Sequence, residues 1–103
     1  MKRLRVFYDG LLSLNISFSF KEDITVILKD SKGNPSRNRL TIKVDLSLLD
    51  ENQNLITSKI FSENFEYNID DNKLNLRQYE KNIKLNLVEQ ITEQILAFLA
   101  NVK

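Results

Sequence analysis

The side chains best suited to bind a ligand are two groups of cations. The first group surrounds a turn that holds the chain's only proline, and it comprises Lys29, Lys32, Arg37, Arg39 and Lys43. The second group follows four- and three-residue steps and comprises Lys73, Arg77, Lys81 and Lys84. Cations at the start of a helix oppose its dipole and repel each other at i,i+4, so the second group costs some stability. That cost indicates an anionic partner, whereas the ordinary alternative is a solvated charged face.

Carboxylates also occur in clusters, but they do not predict catalysis. They lie at Glu22/Asp23, Asp50/Glu51 and Asp70/Asp71, all in predicted loops where acidic residues usually only solvate the chain. Paired catalytic acids need a pocket and a defined separation. The chain has no His and no Cys, which excludes the usual nucleophile systems, thiol redox chemistry and ordinary zinc sites. We therefore predict no catalytic residue, no metal, no cofactor and no enzymatic activity.

The overall charge and hydrophobicity limit the classes of partner. In 103 residues, 15 Lys and Arg oppose 14 Asp and Glu, a net charge of +1 that argues against a general nucleic-acid binder. The hydrophobic fraction of 42% is typical of a globular chain. No apolar run approaches the roughly 18 residues of a spanning helix. The basic start is followed by an apolar run that Asp9 interrupts, so we predict neither a transmembrane segment nor a secretion signal.

Stretches of alternating polarity place the first group of cations on strands. Alternation from Leu12 to Phe20 indicates a half-buried strand, which residues 24–28 resume after a break at 21–23. A second alternation directs one set of apolar residues inward: Leu40, Ile42, Val44, Leu46 and Leu48. A third strand over 55–67 changes phase, since Ile56 and Ile60 differ in parity from the aromatic residues that follow. We predict a bulge within 59–62 there, and turns at 30–36 and 50–54.

The second group of cations lies at the start of a predicted helix. Asn75 is the predicted N-cap, and Gln78 completes a capping box with it. Apolar residues then recur at helical steps: Tyr79, Ile83, Leu87, Val88, Ile91, Ile95, Phe98, Leu99 and Val102. The pattern predicts one amphipathic helix over 75–102, with Glu80 and Lys84 paired at i,i+4 on its outer side.

Together these elements predict a single domain over 1–103 with an α+β fold in two layers. An antiparallel β-meander of three to four strands (12–68) carries the long C-terminal amphipathic helix on one face, and residues 1–11 form an irregular or edge segment. One helix about 10 Å wide cannot cover a sheet of this size. We therefore expect part of the apolar face to stay uncovered, which would allow docking or a homodimer.

From Leu14 onward, the chain resembles the second half of the LptE family, the lipopolysaccharide-assembly lipoproteins of Gram-negative outer membranes. The resemblance is a connected pattern over about ninety residues. A strand leads into residues 21–24, and a glycine-containing turn precedes residues 37–40. The alternating strand, a loop and a further strand follow, and the end is a long helix whose charged stretch precedes an apolar stripe.

The resemblance implies a four-stranded sheet with two helices, a lipid anchor on an N-terminal Cys, and residence inside an LptD barrel on the periplasmic side of the outer membrane. It implies a non-enzymatic assembly factor that binds LptD and lipopolysaccharide. Since lipid A is phosphorylated, Lys and Arg are the expected contacts. Lys32, Arg37 and Arg39 match the family's basic inter-strand loop, and Lys73 and Arg77 occupy the next candidate region.

The chain departs from the family at its start, where the lipobox Cys and the first strand–helix unit are missing. We therefore expect an N-terminally truncated domain. Two alternatives remain open: an accessory lipoprotein of a lipid-transporting ABC system, and a cytosolic interaction module or chaperone of the α+β type. The coding sequence upstream of Met1 would separate these readings, because a lipobox supports a lipoprotein.

Overall fold

Four strands and one helix follow one another along the chain. A computed structural model describes the backbone of residues 2–8 and 12–101 and the side chains of residues 14–101. The elements are β1 (Lys2–Tyr8), β2 (Leu12–Lys29), β3 (Pro35–Leu49), β4 (Leu55–Asn68) and α1 (Lys73–Ala100). The strands form an antiparallel sheet in the order β1-β2-β3-β4. The predicted α+β meander with a long C-terminal helix is therefore confirmed.

The chain divides into two compact units. The first unit comprises Met1–Lys21 and Lys43–Phe61, and the second comprises Glu22–Ile42 and Ser62–Lys103. Strands β2, β3 and β4 contribute residues to both units, whereas all of α1 belongs to the second. The five cations that match the family resemblance all lie in the second unit, whereas Lys43 lies in the first. These five are Lys32, Arg37, Arg39, Lys73 and Arg77.

Strand β3 supplies buried side chains to both units. Its even-numbered residues turn inward as the alternation predicts, because successive side chains of a strand point to opposite faces. In the first unit, Val44, Leu46 and Leu48 are buried together with Ile16 and Phe61. In the second unit, the buried apolar residues are Leu40, Ile42, Tyr67, Ile83, Leu87 and Ile91.

Strands β2 and β4 both continue through the positions where the sequence predicts an irregularity. Strand β2 continues through residues 21–23 without a break, which places Glu22 and Asp23 in a strand rather than in a loop. In β4, Phe61 and Tyr67 are buried, while Ile56 and Ile60 remain exposed. The bulge predicted within 59–62 stays a prediction.

The two hairpin turns have the same pattern of hydrogen bonds. Asp30 accepts hydrogen bonds at Oδ1 from the backbone N–H groups of Lys32 and Asn34, both at 2.9 Å. Asp50 does the same for the N–H groups two and four residues on, at 2.8 and 2.9 Å. The fourth residue has a positive φ in each turn: 84° at Gly33 and 67° at Gln53. Glycine takes this conformation freely, whereas Gln53 carries the strain of a left-handed side-chain-bearing residue.

Helix α1 begins two residues before the predicted start, and its N-cap is Asn72 rather than Asn75. The Asn72 side chain accepts hydrogen bonds from the N–H groups of Leu74 at 3.0 Å and Asn75 at 3.1 Å. Asp70 accepts the N–H of Asn72 at 2.8 Å and so holds the cap in place. Two Asn residues three positions apart are equivalent cap candidates by sequence, and the Asp70 contact selects the first. The predicted end at Val102 lies outside the described residues.

Candidate functional site

The segments that carry these five cations lie at one end of the second unit. The turn between β2 and β3 carries Lys32, and the start of β3 carries Arg37 and Arg39. The N–H of Ile69 donates to the carbonyl oxygen of Ser36 at 3.0 Å, which fastens the linker before α1 against the start of β3. Helix α1 then begins with Lys73, and Arg77 follows one turn later. We call these five cations and the segments that carry them the basic end.

Two arginines of the basic end share a single carboxylate. Arg39 donates through Nη2 and Nε to Oε1 of Glu66, at 2.6 and 3.2 Å. Arg37 places Nε 3.9 Å from Oε2 of the same residue and donates through Nη1 to Oδ1 of Asn68 at 2.8 Å. Two positive charges around one negative charge leave a surplus of one. The arginines pair across β3 and β4 on the sheet face opposite the buried even-numbered residues of β3.

The shared carboxylate responds to both arginines. The hydrogen bonds from Arg39 are the largest influence and hold the pKa of Glu66 below its ordinary value, and the charges of Arg39 and Arg37 act in the same direction. Partial desolvation opposes them without reversing the shift. Glu66 therefore stays ionised in mildly acidic solution and keeps both guanidinium groups in place.

The three other cations of the basic end are less constrained. Lys32 is exposed in the turn, where its backbone rather than its ammonium group is bonded to Asp30. Lys73 and Arg77 are exposed on the first turns of α1, which contain no acidic residue. Among the described residues, none of these three side chains forms an ion pair within 4.0 Å. Their charges remain available to an anion in solution.

A buried polar contact attaches α1 to the sheet close to the basic end. Tyr67 is buried, its hydroxyl donates to Oε2 of Glu80, and its ring meets Tyr79 edge-on with centroids 5.9 Å apart. Burial raises the pKa of Tyr67 to about 12, and the hydrogen bond to Glu80 and the charge of Glu80 also raise it, while a hydrogen bond with Asn38 lowers it. The phenol therefore stays protonated and keeps donating to the helix.

Two further contacts join α1 to strands on either side. Lys84 places Nζ 2.6 Å from Oε1 of Glu22 on β2, and Gln94 donates to Glu63 on β4. The predicted pair of Glu80 with Lys84 within the helix is therefore wrong. Each of these side chains finds a partner on the sheet instead. The helix is held across the strands rather than by pairs along its own surface.

A groove beside α1 is acidic and does not suit an anion. It has a volume of about 330 Å³ and lies between α1 and β4, with Phe65, Tyr79 and Leu87 among its lining side chains. Its polar lining includes Glu89 and Glu93, together with amide side chains. Repulsion from these carboxylates favours the basic end over the groove for a negatively charged ligand.

Part of the second unit's apolar surface is uncovered along β2. Glu22 contacts Lys84 on α1, so the even-numbered residues of β2 point to the helix side of the sheet. Ile24, Val26 and Leu28 follow on that side and are 41%, 43% and 57% exposed. The helix therefore leaves this edge open, which agrees with the expectation that one helix is too narrow for the sheet.

The sequence identifies the cations but not the residues that bind them or that attach the helix beside them. Glu66 looked like one of many acidic residues, because its pairing with Arg37 and Arg39 spans about thirty residues of sequence and depends on strand register. Tyr67 was expected only as a strand residue. The available signal for the Tyr67–Glu80 contact was the position of the two residues: a tyrosine at the end of a predicted strand and a glutamate in the early turns of the helix that follows.

The described part of the chain contains no helix long and apolar enough to cross a membrane. Within those same residues, no group of three or more acidic side chains is arranged to hold a metal ion. Comparison of the chain with models of known protein families and with curated proteins finds no match.

Proposed function

We propose that this protein is a non-enzymatic assembly factor of the LptE type, which binds lipopolysaccharide and an LptD-like barrel at the periplasmic side of the outer membrane. The observation that carries the lipopolysaccharide part is the basic end. There Lys32, Lys73 and Arg77 have no ion-pair partner among the described residues, while Arg37 and Arg39 share one carboxylate. Phosphate groups of lipid A are the anions that such an arrangement fits.

The basic end also carries an apolar element, which favours an amphiphile over a free phosphate. Leu74, next to Lys73 at the start of α1, is among the most exposed large apolar residues of the described chain. An acyl chain can contact this leucine while the ammonium group reaches a phosphate. Binding to inorganic phosphate alone lacks that apolar contribution and is expected to be weaker.

Charge-reversal variants test the proposed contact surface. We compare the parent with Lys32→Glu/Lys73→Glu/Arg77→Glu for binding to vesicles that contain lipid A. The matched control reverses three exposed lysines outside the basic end: Lys21→Glu/Lys43→Glu/Lys81→Glu. Both variants change the net charge equally, so a general electrostatic effect weakens both. Each cation near an anionic surface contributes about 1 kcal/mol, so the basic-end variant should lose roughly a hundredfold in affinity beyond the control.

The protein partner requires a separate measurement. Expression of the tagged chain in an envelope that contains an LptD-like barrel, followed by detergent extraction and affinity purification, should recover the barrel in a defined ratio. Recovery of an ABC transporter instead would favour an accessory lipoprotein of a lipid-transport system. Recovery of neither envelope complex, with the chain found only among soluble cytosolic proteins, would contradict the proposed function.

A further inference from the structure

The free edge of strand β2 offers a surface that the proposed function does not use. Strand β1 pairs with β2 only from Leu12 to Phe18, in the register Tyr8↔Leu12 to Lys2↔Phe18. Strand β2 continues to Lys29, so its last residues have β3 on one side and no described strand on the other. An unpaired edge presents backbone N–H and C=O groups to any strand that can align with it.

The exposed side chains along this edge are complementary to the same edge of a second copy of the chain. We propose that two copies of this chain associate through residues 23–29 of β2, paired antiparallel about a two-fold axis at Val26. In this register Val26 faces the partner's Val26, and Ile24 faces the partner's Leu28. Because opposite residues of an antiparallel pair share a sheet face, these side chains form one apolar cluster on the helix side.

Charges on the opposite face agree with the same register. Asp23 lies opposite the partner's Lys29, and the symmetry repeats this pair, so the interface gains two favourable cross-strand contacts. On the helix side, Glu22 comes opposite the partner's Asp30, the turn residue that follows β2, and the ion pair of Glu22 with Lys84 offsets part of that repulsion. No intramolecular ion pair of Asp23 or Lys29 occurs among the described residues, so neither must give up a partner.

The two neighbouring registers pair apolar residues with charged ones or leave Asp23 without a cation opposite. An axis at Thr25 would place Lys21 opposite the partner's Lys29 and would bring Glu22 against the partner's Leu28. An axis at Ile27 would bring Ile24 against the partner's Asp30 and leave Asp23 without a cation. Of the three registers, only that at Val26 places Asp23 opposite a cation and keeps Ile24, Val26 and Leu28 opposite apolar residues. It also leaves the part of β2 that pairs with β1 untouched.

A cysteine at the axis tests the register directly, since the chain contains no native cysteine. In Val26→Cys the two introduced residues face each other with Cα atoms about 5 Å apart, which a disulfide can span. Mild oxidation should therefore cross-link most of the protein as a dimer. In the control Ile27→Cys, the two cysteines lie roughly 8 Å apart on this register and should remain largely uncross-linked. Equal cross-linking of both variants, or of neither, would overturn the proposal.

Exchange of the charged pair tests the interface without cross-linking. Asp23→Lys and Lys29→Asp each replace two attractions by two repulsions, so each should weaken the dimer at least about tenfold in sedimentation equilibrium. An equimolar mixture of the two variants restores opposite charges and should form a heterodimer with parental affinity. A parent that stays monomeric at concentrations up to about 1 mM, or a mixture that does not associate, would overturn the proposal. This test does not depend on lipopolysaccharide binding.

Discussion

The hydroxyl of Tyr67 should be a measurable source of stability, because it is buried and donates to Glu80 across the helix–sheet contact. Tyr67→Phe keeps the ring and its edge-on contact with Tyr79 but removes the donor. A hydrogen bond to a charged group contributes about 1.5–3 kcal/mol, and Glu80 is half-buried, so water partly replaces the lost donor. We therefore expect a loss of about 2 kcal/mol in the free energy of unfolding at neutral pH.

The pH dependence of the same substitution gives a second magnitude. The folded chain holds the Tyr67 proton until about pH 12, whereas the unfolded chain releases it near the ordinary pKa of 10.0. A raised folded-state pKa stabilises the protein fully below pH 10, and that contribution is lost as pH rises towards 12. The difference of about two pH units corresponds to roughly 3 kcal/mol. The parent should therefore lose this stability between pH 10 and about 12, and Tyr67→Phe should lack that loss.

Urea unfolding from neutral to alkaline pH, followed by circular dichroism, measures both effects, and phenolate absorbance identifies the titrating tyrosine. Tyr79→Phe is the matched control, since Tyr79 is about half exposed and donates no described hydrogen bond to the sheet. The control should keep the high-pH phenolate step that Tyr67→Phe removes. Equal stability losses in the two variants, or a high-pH step that survives in Tyr67→Phe, would refute the role given to the Tyr67 hydroxyl.

Three further substitutions have defined outcomes. Gly33 and Gln53 both have a positive φ, which glycine adopts more easily than other residues. In urea unfolding, Gly33→Ala should therefore lower the free energy of unfolding by about 1 kcal/mol, and Gln53→Gly should raise it by a similar amount. A change in the same direction for both variants would contradict this. The pKa of Glu66 is lower in the folded chain than its ordinary value of 4.5, so Glu66 stabilises the fold above pH 4.5, and this stability is lost as pH falls through the folded-state pKa. Glu66→Gln should therefore reduce the loss of stability in acid. An unchanged dependence of stability on acidic pH would argue against the shared carboxylate. Glu22→Gln should cost less than about 1 kcal/mol and lose its effect in high salt, because the pair with Lys84 is partly exposed; a larger, salt-insensitive loss would show that the pair is structurally more important.

The layer architecture could be predicted because its signals are local. The alternation from Leu40 to Leu48 directs each apolar side chain inward, and all five are buried as the two-residue period requires. The helical repeat likewise identified Ile83, Leu87 and Ile91, which are the buried residues of α1. In β4 the local signal is less regular, since Ile56 and Ile60 resemble core residues by type and are nevertheless exposed.

The site could be predicted only in part because its contacts are not local. The cations were recognisable from charge alone, but the neutralising contact at Glu66 requires two strands to pair in one register. The partners of Glu80 and Lys84 likewise depend on how α1 lies on the sheet. A favourable i,i+4 spacing contributes only about 0.3–0.5 kcal/mol, so contacts with Tyr67 and Glu22 outweigh it. The observed helix start differs from the predicted one for a similar reason, because Asp70 accepts the N–H of Asn72 and so favours Asn72 over Asn75 as the N-cap.

The most direct test of the central claim is a binding titration of the parent chain against vesicles of one composition, with either phosphorylated or dephosphorylated lipid A. We predict saturable binding to the phosphorylated form, weakened by salt, and affinity at least about tenfold lower for the dephosphorylated form, because the cations of the basic end lose their counter-charges. Equal affinity for the two forms would contradict phosphate recognition by Lys32, Lys73 and Arg77. The absence of binding to either would contradict lipopolysaccharide as the ligand.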